Sequence, residues 1–147
     1  MSVTKQGGIL LVPADTIDYD SYQNYWALSR ENGMFGFVGG KLHLGENILQ
    51  TVVREVEEEL GVRIKETDLL PINSRWVNNH WVTVFLCTKA VPENQLQLEP
   101  GVTARKVSLD EMCLPILSPF WDYNCAIRDS VALYTSQARD SNTLLLA

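Results

Sequence analysis

The stretch REVEEELG, residues 54–61, places four glutamates in five consecutive positions. Like charges three or four residues apart on a helix repel by roughly 0.2–0.5 kcal/mol per pair. A helix C-terminus, where these residues would sit, disfavours anions further. At about 100° per residue, Glu55, Glu58 and Glu59 fall in one arc, while Glu57 and Arg54 point elsewhere. That arc lies beside the apolar stripe Leu49, Val52, Val53, Val56 and Leu60, not opposite it. A solvated glutamate face is the commoner fate of such a run. A hard divalent cation is the alternative. Mg²⁺ or Mn²⁺ takes oxygen ligands, often one or two carboxylates plus substrate phosphates, and would relieve the crowding.

The elements that must position these acids can be read from local signals. Ile48, Leu49, Val52, Val53, Val56 and Leu60 recur at spacings of three and four, which predicts a helix over 47–60. Asn47 suits the N-cap with Gln50 as its partner three residues on, and Gly61 suits the stop. Ahead of the helix, GMFGFVGG (33–40) reads as a short strand entering a tight, glycine-rich loop.

The wider stretch GKLHLGENILQTVVREVEEELGV, Gly40 to Val62, resembles the Nudix box, G-x5-E-x7-R-E-U-x-E-E-x-G-U with U aliphatic. Gly40, Glu46, Arg54, Glu55, Val56, Glu58, Glu59, Gly61 and Val62 match every fixed position. A chance match is on the order of 10⁻⁸ per starting point at ordinary residue usage. The resemblance implies an α/β fold, an α/β/α sandwich with a mixed β-sheet, in which the box forms strand, loop and helix. It implies a metal-dependent pyrophosphohydrolase that cleaves the diphosphate linkage of a nucleoside diphosphate derivative. By the same resemblance Glu58 and Glu59 look like direct ligands of Mg²⁺ or Mn²⁺. Glu55 looks like a further ligand or the base that activates the nucleophile, and the Gly39 carbonyl like another ligand. Arg54 looks like an orienting ion-pair partner, with Glu46 as a candidate mate. Gly40 and Glu46 belong to the loop that meets substrate. Many members carry Pro before the paired glycines; here Val38 stands there. Some members use an acid far downstream, for which Glu99 is the candidate, with Glu93, Asp110 and Glu111 as competitors.

The rest of the chain supplies strands and a second helix. GGILLVP (7–13) and YWALSR (25–30) read as strands, separated by a polar, turn-rich segment. Residues 73–91 read as a hairpin turning at Asn78-Asn79. ARKVSLDEM (104–112) reads as a strand running into a turn, and 118–140 as a helix with Ser118 as N-cap and Pro119 at its first position. Tyr25, Trp26, Phe35, Trp76 and Trp81 are aromatics that could stack on a base, with Trp81 the candidate substrate-binding residue. His43 and His80 could approach phosphate or base.

The 147 residues suit one domain, 1–147, and 46% hydrophobic with 20% charged residues is an ordinary globular balance. A formal charge of −6 argues against nucleic acid as a partner and asks for cations to accompany any phosphate substrate. No run of about 18 apolar residues is present, so no membrane span is expected. Three cysteines without metal-binding spacing, and a poor match to a signal peptide, point to a reduced, cytoplasmic protein. A small-molecule nucleotide is the expected partner. A homodimer is compatible with the apolar tail SNTLLLA. Among substrates, a (deoxy)nucleoside triphosphate giving monophosphate and pyrophosphate ranks first, ahead of nucleotide sugars, ADP-ribose and dinucleoside polyphosphates. A non-catalytic nucleotide-binding module is the alternative class, and the intact set of box glutamates argues against it.

Overall fold

The computed structural model describes residues 5–18, 23–30 and 33–146, with residues 138–146 described as backbone only. Its strands are β1 (Lys5–Leu11), β2 (Tyr25–Ser29), β3 (Gly36–Lys41), β4 (Leu69–Val77), β5 (His80–Cys87) and β6 (Thr103–Val107). Its helices are α1 (Ile48–Leu60) and α2 (Trp121–Leu146), with short 3₁₀ turns at Glu66–Asp68, Glu93–Gln95 and Glu111–Cys113. The strands form one mixed sheet in the order β4-β5-β1-β3-β2-β6. The β1–β5 pair is parallel and the other pairs are antiparallel.

Alternation along the strands divides the core between two faces. Leu10, Trp26, Leu28, Val38 and Phe85 pack with Val52, Val56 and Leu60 of α1. Leu11, Tyr25, Val84 and Leu86 pack with Ile127 and Val131 of α2 on the other side. The result is the α/β/α sandwich. Val38, the residue that replaces the proline of many Nudix boxes, is fully buried among the α1-side core. It contributes packing where a proline would contribute stiffness.

Helix α1 begins and ends on the residues that its local sequence marks. Asn47 Oδ1 accepts from the Gln50 backbone N–H at 2.9 Å, and Gln50 Oε1 accepts from Asn47 N–H at 2.8 Å. Gly61 adopts φ 70° and donates to the Glu57 carbonyl at 3.0 Å. The Gln97 N–H then donates to the Leu60 carbonyl at 2.8 Å, so the loop after β5 closes onto the helix end. A Cβ at Gly61 would lie 2.6 Å from the Gln97 carbonyl oxygen. Gly61→Ala is therefore expected to cost about 2 kcal/mol, from left-handed strain and this clash together. Urea unfolding measures it, and a loss under about 0.5 kcal/mol would mean that the loop gives way freely.

The hairpin turns at Asn78 and Asn79, both with positive φ (47° and 67°), as a two-residue turn between twisted strands requires. Several boundaries differ from the sequence reading. β1 stops at Leu11, and Pro13 makes only an isolated bridge to Tyr25. β4 starts at Leu69, not 73, because it is an edge strand and tolerates Pro71 at a bulge. α2 starts at Trp121 instead of 118 and runs on to Leu146. Ser118 is buried and its Oγ accepts from Phe120 N–H and Asn124 Nδ2, both at 3.2 Å, so it closes a turn before the helix. The side chains of the apolar tail, expected at an interface, lie outside the described residues. Among the described residues no helix is long and apolar enough to cross a membrane.

Candidate active site

Helix α1 crosses the sheet above β1. A Cβ on Gly8 would come within 2.5 Å of Val52 Cγ2 and 3.3 Å of Ile48 Cδ1, so the helix rests directly on a bare strand. Its acidic arc then overhangs the neighbouring strand β3 at the glycine pair. Glu55 fills the space that a side chain on Gly40 would need. Glu59 Oε1 accepts from the Gly39 N–H at 3.2 Å. The paired glycines are thus a cradle for two carboxylates, and a larger residue at position 40 would evict one of them.

Arg54 ties the arc to the preceding loop. Its Nε and Nη2 form a fork on Glu46 at 3.2 and 2.9 Å. Nη2 also donates to the Lys41 carbonyl at 3.1 Å. Nη1 donates to Glu55 Oε1 at 2.8 Å and Glu58 Oε2 at 3.2 Å. The side chains of Arg54, Glu46 and Glu55 are 22%, 16% and 15% exposed, whereas Glu58 is 57% exposed. Glu46 gains two more donors, the His43 N–H and the Thr51 hydroxyl, each at 2.8 Å. Thr51 is fully buried and was not singled out by sequence, since a threonine inside an apolar stripe looks like packing.

The electrostatics follow from these contacts. The Arg54 fork, with the His43 and Thr51 donors, holds the Glu46 carboxyl down at about 2 despite partial burial. Its carboxylate partners push Arg54 upward in turn. Burial pushes Glu59 up to about 7; neighbouring Glu55 adds to the rise, while the Gly39 N–H and the charge of Arg30 oppose it. A raised folded-state acid stabilises the fold fully below its ordinary value of 4.5 and loses that contribution as pH climbs through about 7. Glu46 acts oppositely, contributing above 4.5 and losing its contribution as pH falls toward about 2. In chelator the protein should therefore lose stability between pH 5 and 8. Saturating Mg²⁺ should cancel most of that loss, because a bound cation keeps Glu59 ionised. Melting curves at pH 5 and 8, with EDTA or Mg²⁺, test both statements.

The donors present are hard carboxylate oxygens over the bare glycine pair of β3, which suits Mg²⁺ or Mn²⁺. Among the described residues no three acidic, histidine or cysteine side chains already converge into a cage. Glu55 and Glu59 are drawn together, but Glu58 turns outward to Arg54. A cation would need Glu58 to exchange that exposed ion pair for a ligand bond.

Other residues expected at the site lie elsewhere. Trp81 packs edge-on to Trp76, ring centroids 5.3 Å apart, and its register partner on β1 is Gln6. It stands on β5, two strands from β3 or roughly 10 Å, with β1 and the overlying helix between. Glu99 occupies an exposed turn closed by the Val102 N–H to Glu99 carbonyl bond at 3.1 Å. Tyr25, Trp26 and Phe35 are buried in the core. His43 is exposed in the box loop, and His80 opens β5 beside the hairpin turn.

Comparison with known proteins places this architecture. A family model described as a NUDIX domain matches residues 3–126. The chain belongs to the Nudix hydrolase family. Nudix hydrolases generally use divalent metal ions, in keeping with the oxygen donors on α1. Among solved structures, a MutT from work on Aliivibrio salmonicida and Vibrio cholerae superposes with a TM-score of 0.58 at 19% identity, over 83% of this chain and 97% of that one. An Ap4A hydrolase from C. elegans gives 0.60 at 13% identity, over 90% and 99%. A nudix hydrolase family member from Chromobacterium violaceum gives 0.61 at 20% identity, over 99% and 90%. No curated protein matches the chain.

Proposed function

We propose that this Nudix protein is a metal-dependent pyrophosphohydrolase that splits a (deoxy)nucleoside triphosphate into a monophosphate and pyrophosphate. The observation that carries the reading is the pair Glu55 and Glu59, seated on the Gly39-Gly40 pair of β3 and neutralised on one side by Arg54. Carboxylates held so close repel when both are ionised, and a cation between them relieves that repulsion. A diphosphate brings further negative charge to the same place, which sharpens that requirement.

Glu58, Glu59 and the Gly39 carbonyl would hold the cation, with Glu55 either a further ligand or the base that takes a proton from attacking water. The chemistry that Mg²⁺ or Mn²⁺ supplies when bound is charge neutralisation at the diphosphate and acidification of water. Glu46 and Arg54 orient Glu55 and the box loop. Glu99 needs its turn to swing toward α1 before it could join the ligand set, and the reading stands without it. Water attacks a phosphorus of the α–β bridge, the bond from that phosphorus to the bridging oxygen breaks, and nucleoside monophosphate and pyrophosphate leave. A reduced, cytoplasmic setting belongs to the same reading.

The likeness to the C. elegans Ap4A hydrolase makes dinucleoside polyphosphates the second substrate class. The test is formation of nucleoside monophosphate, resolved by chromatography, with Mg²⁺ or Mn²⁺, from a panel of nucleoside triphosphates, nucleotide sugars, ADP-ribose and dinucleoside polyphosphates. Fastest turnover of a triphosphate supports the proposal, and fastest turnover of another class reassigns the substrate. Nucleotide binding without turnover at micromolar enzyme would make the chain a binding module.

A further inference from the structure

The three cysteines do not share one environment. Cys87 is fully buried in β5, whereas Cys113 and Cys125 are half-buried at the surface. Cys113 ends the 3₁₀ turn Glu111–Cys113, and Cys125 stands near the start of α2. Two contacts fix these elements against each other. Asn124 Nδ2 donates to the Met112 carbonyl at 2.9 Å, and Arg128 Nη1 donates to Asp110 Oδ1 at 3.2 Å. Asn124, Cys125 and Arg128 fall in one arc about 100° wide on the helix. The face of α2 that carries Cys125 is therefore the face that lies on the turn carrying Cys113. The Cys125 thiol is the hydrogen-bonding neighbour of Cys113. From that contact an S–S bond of about 2 Å needs a movement of roughly 1–2 Å.

The two thiols are set up differently. Cys113 Sγ donates to the Leu109 carbonyl at 3.4 Å. Burial and the adjacent Cys125 push the Cys113 thiol up to about 12, against the charge of Arg128. Cys113 is thus held as the neutral thiol, and Cys125 is the sulfur that opens any exchange. Between them runs the segment 114–124, in which Leu114, Ile116 and Phe120 are 50%, 85% and 60% exposed. That segment meets the sheet where the Leu117 carbonyl accepts from the Phe35 N–H at 2.8 Å, just before β3. A bond between the two sulfurs would staple both of its ends.

We propose that Cys113 and Cys125 form a redox-modification site, a dithiol that a small-molecule disulfide converts into an intrachain disulfide closing the segment 114–124. Cys125 gives its proton to solvent, and its thiolate attacks one sulfur of the small disulfide. The S–S bond of that molecule breaks, and one thiolate leaves and takes up a proton. Cys113 then gives up its proton and attacks Cys125 Sγ in the mixed disulfide, and the second small thiolate leaves and is protonated. The protein loses two hydrogens and two electrons, and the small disulfide becomes two thiols. In a reducing compartment such a bridge is transient, and it reports the thiol balance around the protein. The site uses none of the acids on α1 and is independent of the catalytic reading.

The test is incubation of the reduced full chain with oxidised glutathione, followed by alkylation in urea, mass spectrometry and melting. The wild type should lose two alkylatable thiols, keep Cys87 free and yield a peptide cross-linked through Cys113 and Cys125. Its melting temperature should rise by roughly 5–10 °C and return when dithiothreitol is added. Cys113→Ser should instead stop at a glutathione adduct on Cys125, with no rise in melting temperature. Cys125→Ser should form neither the bridge nor a comparable adduct on Cys113. Both variants, melted in dithiothreitol beside the wild type, should match it within a few degrees, which shows that they fold. Three free thiols in the treated wild type, a bridge that includes Cys87 or joins two chains, or a glutathione adduct that never resolves would each overturn the site. So would a rise in melting temperature that survives in Cys113→Ser.

Discussion

Glu59→Gln should lower turnover by about a thousandfold or more while making the protein in chelator more stable. The two effects share one cause. Glu59 is held half-buried against the Gly39 N–H and beside Glu55, where ionisation is disfavoured and its titration moves up to about 7. Glutamine keeps the shape and can still accept from Gly39, but it never carries the charge. At pH 8 in EDTA the variant should gain on the order of 2 kcal/mol, less than the full shift implies because the carboxyl is partly solvated. At pH 5 the gain should largely vanish, since wild-type Glu59 is then protonated in the fold. With Mg²⁺ the order should reverse, because only the wild type offers an ionised ligand at position 59. Turnover that survives Glu59→Gln would place the reacting centre elsewhere. A stability gain of equal size at pH 5 and 8 would assign it to packing instead of charge.

What could be read in the sequence was what depends on near neighbours in the chain. The Asn47–Gln50 cap, the Gly61 stop and the Asn78-Asn79 turn are three- and four-residue events, and each appears where local chemistry asks for it. The acidic arc beside the apolar stripe follows from the helical period alone, and Glu55 and Glu59 do sit half-buried next to Val52, Val56 and Leu60. Strand order was not legible. Trp81 looked suitable by type, but the insertion of β1 between β5 and β3 sets it on the far flank of α1. The outward turn of Glu58 was also hidden, because it depends on where Arg54 lands after forking onto Glu46.

Arg54→Ala should be the most destabilising single change at the site, costing about 3 kcal/mol in chelator at pH 7. The substitution leaves Glu46 and Glu55 mostly buried without their countercharge, and it frees the Lys41 carbonyl that anchors the loop to the helix. Arg54→Lys should recover less than half of the loss. A single ammonium can meet Glu46 or Glu55, but it cannot present the fork on one and a third donor to the other. Adding Glu46→Gln to Arg54→Ala should cost less than the sum of the two single changes, because the second removes a charge that the first stranded. Mg²⁺ should stabilise Arg54→Ala more than the wild type, since a cation among the acids replaces part of the lost positive charge. Urea unfolding of the wild type and the four variants with and without Mg²⁺ decides the matter. A loss below about 0.5 kcal/mol for Arg54→Ala would reduce the cluster to an ordinary surface ion pair. In that case Glu55 and Glu59 would not depend on Arg54 for their seat over the glycines.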